Sequence, residues 1–129
     1  MKTRSLLLAF MAALLAAGLA RATSEELLQR LTPQGKVTDL AGVFTPNDRQ
    51  ALESYLREVE QKTTAEIAVV ALRTLEGGEI SDFARRLFNQ WGIGKQDKNN
   101  GVLLLAAVQD GAVKIEVGVG LGATAAPGA

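Results

Sequence analysis

The residue types that are missing narrow the chemistry of this chain before any fold is considered. There is no histidine and no cysteine among its 129 residues. A Ser-His-Asp or Cys-His nucleophile, a phosphohistidine and a His/Cys zinc site are excluded at once. Carboxylates, amides, hydroxyls, Lys and Arg remain. Two short stretches concentrate such groups. Asp39 stands in Val37-Thr38-Asp39-Leu40-Ala41-Gly42. The loop from Gly94 to Gly101 carries Asp97, Asn99 and Asn100 as oxygen donors. Oxygen ligands suit hard cations such as Ca²⁺ and Mg²⁺. Each stretch also has a structural reading. Asp39 before Ala-Gly suits an Asx turn, and Asn99-Asn100-Gly101 suits turn chemistry. Arg85, Arg86, Lys95 and Lys98 read as a solvated helix face and loop rather than a phosphate-attracting cluster. Gly118-Val-Gly120-x-Gly122 fails as a phosphate loop, because no helix pattern follows it.

These groups need elements to hold them. Lys36 to Leu40 reads as a short strand that ends near Asp39. Thr45-Pro46-Asn47-Asp48 is a helix start: Thr45 caps, Pro46 suits the first helical position, and Asp48 opposes the positive helix end. Leu52, Tyr55, Leu56 and Val59 then make one buried stripe on a helix reaching about Lys62. Glu66 to Leu72 is a branched apolar run suited to a strand covered on both faces. Ile80, Phe83, Ala84, Leu87, Phe88 and Trp91 form the strongest helical stripe. Val102 to Val108 is a second apolar strand, and Asp110-Gly111 is a hairpin signal. Along Ala112 to Val119, alternation puts Val113, Ile115, Val117 and Val119 on one face and Lys114, Glu116 and Gly118 on the wetter one. The order β-α-β-α-β-β predicts a small α/β domain with a mixed, mostly parallel sheet.

The ends are of a different character. Lys2 and Arg4, then an uncharged run from Leu6 to Leu19, then Ala20-Arg21-Ala22, make up the three parts of a cleavable export signal. Residues 1–22 are therefore expected to be removed, which gives a periplasmic or secreted protein; an uncleaved signal would anchor it to the membrane. Removing Lys2, Arg4 and Arg21 leaves 11 basic against 14 acidic residues, a mature charge of about −3. That gives no basic face for nucleic acid. Residues 23–35 read as a polar linker, with a turn or two of helix over Glu25 to Leu31 broken at Thr32-Pro33-Gln34-Gly35. Residues 122–129 are a low-complexity tail. Two doubly apolar strands need more cover than two helices provide, so the domain is expected to lack its C-terminal part. No hydrophobic segment after residue 22 is expected to act as a membrane anchor.

Four motifs in order resemble the TPM domain family, which includes YgcG-type bacterial proteins and a thylakoid-lumen protein of photosystem II repair. They are Val37-Thr38-Asp39-Leu40-Ala41-Gly42-Val43, Leu87-Phe88-Asn89-Gln90-Trp91-Gly92-Ile93-Gly94, Asn99-Asn100-Gly101-Val102-Leu103-Leu104-Leu105, and Ile115-Glu116-Val117-Gly118-Val119-Gly120-Leu121. The resemblance covers residues 36–121. It implies an α/β/α sandwich, Ca²⁺ binding as in some members, and a protein partner in the cell envelope or in membrane-protein maintenance. The alternative it implies is a metal-assisted acid phosphatase acting on phosphate esters. It also implies one metal site drawing Asp39, Asn99 and Asn100 together, with Asp97 assisting. Asn99 stands where the family usually has Asp, and Val119 where it usually has Tyr. After Leu121 the usual Glu, helix and further strand do not follow. The lower charge predicts weak cation affinity.

Overall fold

The computed structural model describes residues 23–120, so the export signal read at 1–22 and the tail read at 122–129 lie outside the described residues. Residues 23–30 form helix α1. Strand β1 (Val37–Asp39), helix α2 (Pro46–Thr63), strand β2 (Glu66–Leu72), helix α3 (Ile80–Trp91), and strands β3 (Gly101–Ala107) and β4 (Ala112–Val117) follow. The sheet order is β1-β2-β3-β4. β1, β2 and β3 run parallel, and β4 returns antiparallel on β3. The sheet is mixed and mostly parallel, as the alternation of strand and helix predicts.

Each helix starts and stops for local reasons. In α2, Thr45 accepts the Asp48 N–H at 3.1 Å, and Pro46 opens the helix. Thr64 ends it in a left-handed conformation (φ 66°). In α3 the cap is Glu79, whose carboxylate accepts the Ser81 and Asp82 N–H groups at 2.9 and 2.8 Å. Gly92, at φ 59°, closes it; a left-handed C-cap is where glycine is favoured. Glu53 of α2 reaches back to the start of β1, accepting the N–H of Lys36 at 2.6 Å and of Val37 at 2.9 Å.

The main core lies between the sheet and α1 and α3. Ala68, Val70 and Leu72 of β2 and Leu103, Leu105 and Ala107 of β3 pack against Phe83, Ala84 and Leu87 of α3 and Leu28 and Leu31. Fully burying one such aliphatic side chain stabilises by about 1.5–3 kcal/mol. The linker reading of residues 23–35 is therefore corrected: its first part is a core helix. Gln90 and Trp91 of α3 donate to the Leu28 and Leu31 carbonyls at 2.8 and 3.2 Å, satisfying the end of α1. Arg86 pairs with Glu25 on the outside of the same contact. Polar residues at Ser24, Glu25 and Glu26 masked the pattern, because Leu27, Leu28 and Leu31 give too little periodicity to read.

A second correction concerns β4. Lys114 and Glu116 align with Leu105 and Leu103, so they share the face covered by α3. Val113, Ile115 and Val117 turn to the opposite face, where they are 65, 54 and 43% exposed. On that face α2 lies over β1 and β2. The alternation was legible, but which face met protein was not. The same limit applies to Tyr55, which continues the α2 stripe yet is 62% exposed.

Candidate functional site

Asp39 ends β1, and its carboxylate organises the loop behind it. Oδ1 accepts the N–H groups of Ala41, Gly42 and Val43 at 3.1, 2.8 and 3.2 Å, and Oδ2 accepts that of Phe44 at 2.9 Å. Partial burial pushes this carboxyl's pKa up, but the four backbone donors outweigh it and hold it below the usual Asp value. Both oxygens are already committed, so the carboxylate acts as the hub of an Asx-type turn.

Asn100 is the buried polar residue of the other stretch. Its Oδ1 accepts the Lys95 N–H at 2.9 Å, and its Nδ2 donates to the Thr64 carbonyl and hydroxyl at 2.9 and 3.0 Å. It clips the loop 94–99 to the end of α2. Asn99 differs. Its backbone is left-handed (φ 48°) and is held on both sides: its N–H reaches the Lys95 carbonyl at 2.7 Å, and its carbonyl accepts the Gly120 N–H at 3.0 Å. The backbones here approach so closely that a Cβ at Gly118 would run into the Asn99 carbonyl, and one at Gly101 into the Ile93 carbonyl. The glycines of the β4 exit serve close packing, not phosphate binding. Asn99 itself stays exposed, with Asp97 exposed in the same loop.

The structure does not bring Asp39 and the Asn pair together. Asp39 aligns with Ala71 at one end of β2, and Gly101 aligns with Glu66 at the other. At about 3.3 Å per residue the two lie roughly 16 Å apart along the sheet. The single site built from Asp39, Asn99, Asn100 and Asp97 is therefore corrected. Asp39 and Asn100 are structural, while Asn99 and Asp97 stay on the surface at the amino end of β3.

Asn99 lines a groove that Phe88, Asn89 and Ile93 share with it. One lobe, of about 370 Å³, runs past Gly94, Lys95 and Gln96. The other, of about 290 Å³, runs past Arg85, Glu116, Val117, Gly118 and Val119. The carboxyl end of α3 borders the groove, and its last turn carries no basic residue. A helix C-terminus is partially negative. Phe88 and Ile93 give it apolar lining, Asn89, Asn99 and Glu116 offer oxygen donors, and Arg85 and Lys95 line it as well. Asn89 and Glu116 were visible in the sequence only as parts of longer motifs; no local signal marks them as neighbours of Asn99.

A charge network stands beside the groove. Lys36 and Lys95 meet opposite oxygens of Glu60 at 3.2 and 3.3 Å, and Lys95 also approaches Glu66 at 3.7 Å. Burial pushes the Glu60 carboxyl up, and the two ammonium groups bring it net below its usual value. Its hydrogen bond with Glu60 first, and the charges of Glu60 and Glu66 after it, raise the Lys95 pKa. Lys95 is thereby committed to two carboxylates and not offered to an anion. Among the described residues no three carboxylates gather as a metal-holding group, and no helix is long and apolar enough to cross a membrane.

Residues 37–126 match the sequence profile of the TPM domain. Among solved structures, the N-terminal domain of a P. gingivalis protein is similar, with a TM-score of 0.63 at 33% identity over 68% of this chain and 56% of that one. The N-terminal domain of a Corynebacterium glutamicum protein gives a TM-score of 0.57 at 18% identity over 69% of this chain and 57% of that one. The chain thus spans a little over half the length of these two structures. No curated protein matches it.

Proposed function

The chain belongs to the TPM domain family, and from that premise we propose that it is an exported binding module that holds a cation weakly in the Asn99 groove and presents it to a protein partner in the cell envelope. The observation that carries this reading is the groove itself: Asn89, Asn99 and Glu116 edge it beside a helix C-terminus whose partial charge favours cations. One carboxylate and two amide oxygens are too few for the six to eight ligands of Ca²⁺. The open positions would be filled by water or by a partner's carboxylate. Such a donor set supports affinity on the order of 10⁻⁴–10⁻³ M.

The phosphatase reading has less support. The only carboxylate among the described residues lining the groove is Glu116, so one side chain would have to serve both the metal and the proton transfer. The test is thermal melting with Ca²⁺ from 0.1 to 10 mM (on the order of the affinity range above), followed by phosphate-ester turnover. Melting should rise at millimolar Ca²⁺, more steeply in Asn99→Asp and not at all in Glu116→Gln, with no turnover. Turnover that Glu116→Gln abolishes would establish the enzyme. Absence of a Ca²⁺ shift in both the parent and Asn99→Asp would remove the groove as a cation site.

A further inference from the structure

β4 is an edge strand, with no described strand beyond it. The Gly118 N–H bonds the Gly101 carbonyl at 2.8 Å, and Gly118 continues the register that pairs Val117 with Val102. Hydrogen-bonded and non-hydrogen-bonded pairs alternate in an antiparallel ladder. The even residues from Ala112 to Gly118 therefore bond to β3, while Val113, Ile115 and Val117 direct their N–H and C=O groups at the open edge. The same three side chains form the exposed apolar strip. An edge of this kind is a template for another strand.

We propose that the partner for this edge is β4 of a second copy, paired antiparallel about a two-fold axis through Ile115. The charges select the register. Centred on Ile115, Lys114 of each copy faces Glu116 of the other, Val113 faces Val117, and Ile115 faces Ile115. Centred on Lys114, two lysines would stand opposite; centred on Glu116, two glutamates would. Like charges directly opposite destabilise, and opposite charges stabilise. The Ile115 register also suits the backbone. The odd residues become the hydrogen-bonded pairs, giving about six new bonds, and Lys114 and Glu116 fall in non-hydrogen-bonded pairs, where side chains lie closer. The contact is isologous, so it closes as a dimer and does not propagate. It joins the two sheets into one eight-stranded sheet and sets the apolar strips edge to edge. The inference does not depend on the cation reading of the groove.

The test is the mass of the purified full-length product by light scattering across a concentration series, its N-terminus read by mass spectrometry. A concentration-dependent doubling is expected. Lys114→Glu and Glu116→Lys should each raise the dimer dissociation constant roughly tenfold, because both symmetry-related pairs turn repulsive. The double reversal Lys114→Glu/Glu116→Lys should restore dimerisation, and circular dichroism checks that each variant is folded. Since the chain has no cysteine, Ile115→Cys should oxidise to a dimer, with Cα atoms about 5.5 Å apart on the axis. A monomer at all concentrations overturns the proposal. So does a dimer indifferent to both charge reversals, as a sheet face stacked on a second copy or a partner of another sequence would leave it.

Discussion

Asp39→Ala separates the turn reading of this residue from a metal-ligand reading. The substitution removes the acceptor of four backbone N–H groups, at 3.1, 2.8, 3.2 and 2.9 Å. Gly42 and Val43 are exposed and Ala41 and Phe44 half-buried, so water replaces part of what is lost. The comparable loss at a helix N-cap is about 0.5–2 kcal/mol, and a hydrogen bond to a charged group contributes about 1.5–3. Four donors on one partly exposed carboxylate place the effect at about 2 kcal/mol. For a domain of this size that lowers Tm by roughly 8–16 °C. The pH dependence has a definite sign. The folded carboxyl sits below its ordinary value of 3.8. Its charge-dependent stabilisation is fully present above that ordinary value and is lost as pH falls through the lower folded value. The gap in Tm between parent and Asp39→Ala should therefore be constant from neutral pH down to about 5 and narrow below about 4. Circular-dichroism melts at neutral and acid pH, repeated with Ca²⁺, measure all of this. A variant as stable as the parent, or one in which only the Ca²⁺ response disappears, would refute the structural role of Asp39.

Two further substitutions probe what surrounds the groove. Leu28→Ala removes a side chain of α1 that is 3% exposed in the core; a loss of about 2–5 kcal/mol is expected in chemical denaturation. A surface-like change under 0.5 kcal/mol would return α1 to the status of a linker. Asn100→Ala leaves the Lys95 N–H and the Thr64 carbonyl without their partner, which costs about 1–3 kcal/mol. Hydrogen exchange should show faster opening confined first to residues 94–101, and uniform protection there would count against the clip.

How much could be read in advance depended on how local the cause was. The order β-α-β-α-β-β, the Thr45 cap and the α3 stripe are recorded in neighbouring residues, since a cap or a 3.6-residue period acts within a few positions. The turn chemistry of Asp39 was legible for the same reason, and it describes what that side chain does; at Asn100 only the bond from the Lys95 N–H is local, while Nδ2 reaches Thr64, 36 positions away. Three things needed the fold. Helix α1 joins the core through Leu28 and Leu31 and is held there by Gln90, Trp91 and Arg86, some sixty positions away. The apolar side of β4 faces outward because α2 lies over β1 and β2. Asp39 and Asn99 stand at opposite ends of the sheet because parallel strands all begin at the same end, so a residue that closes β1 cannot meet one that opens β3. The sequence by itself settled the elements from β1 to β4 and the exclusion of His- and Cys-based chemistry, both consequences of residue type and short-range spacing. Only the tertiary structure decided which carboxylates and amides share a groove, because that depends on strand direction and order, which no local period encodes.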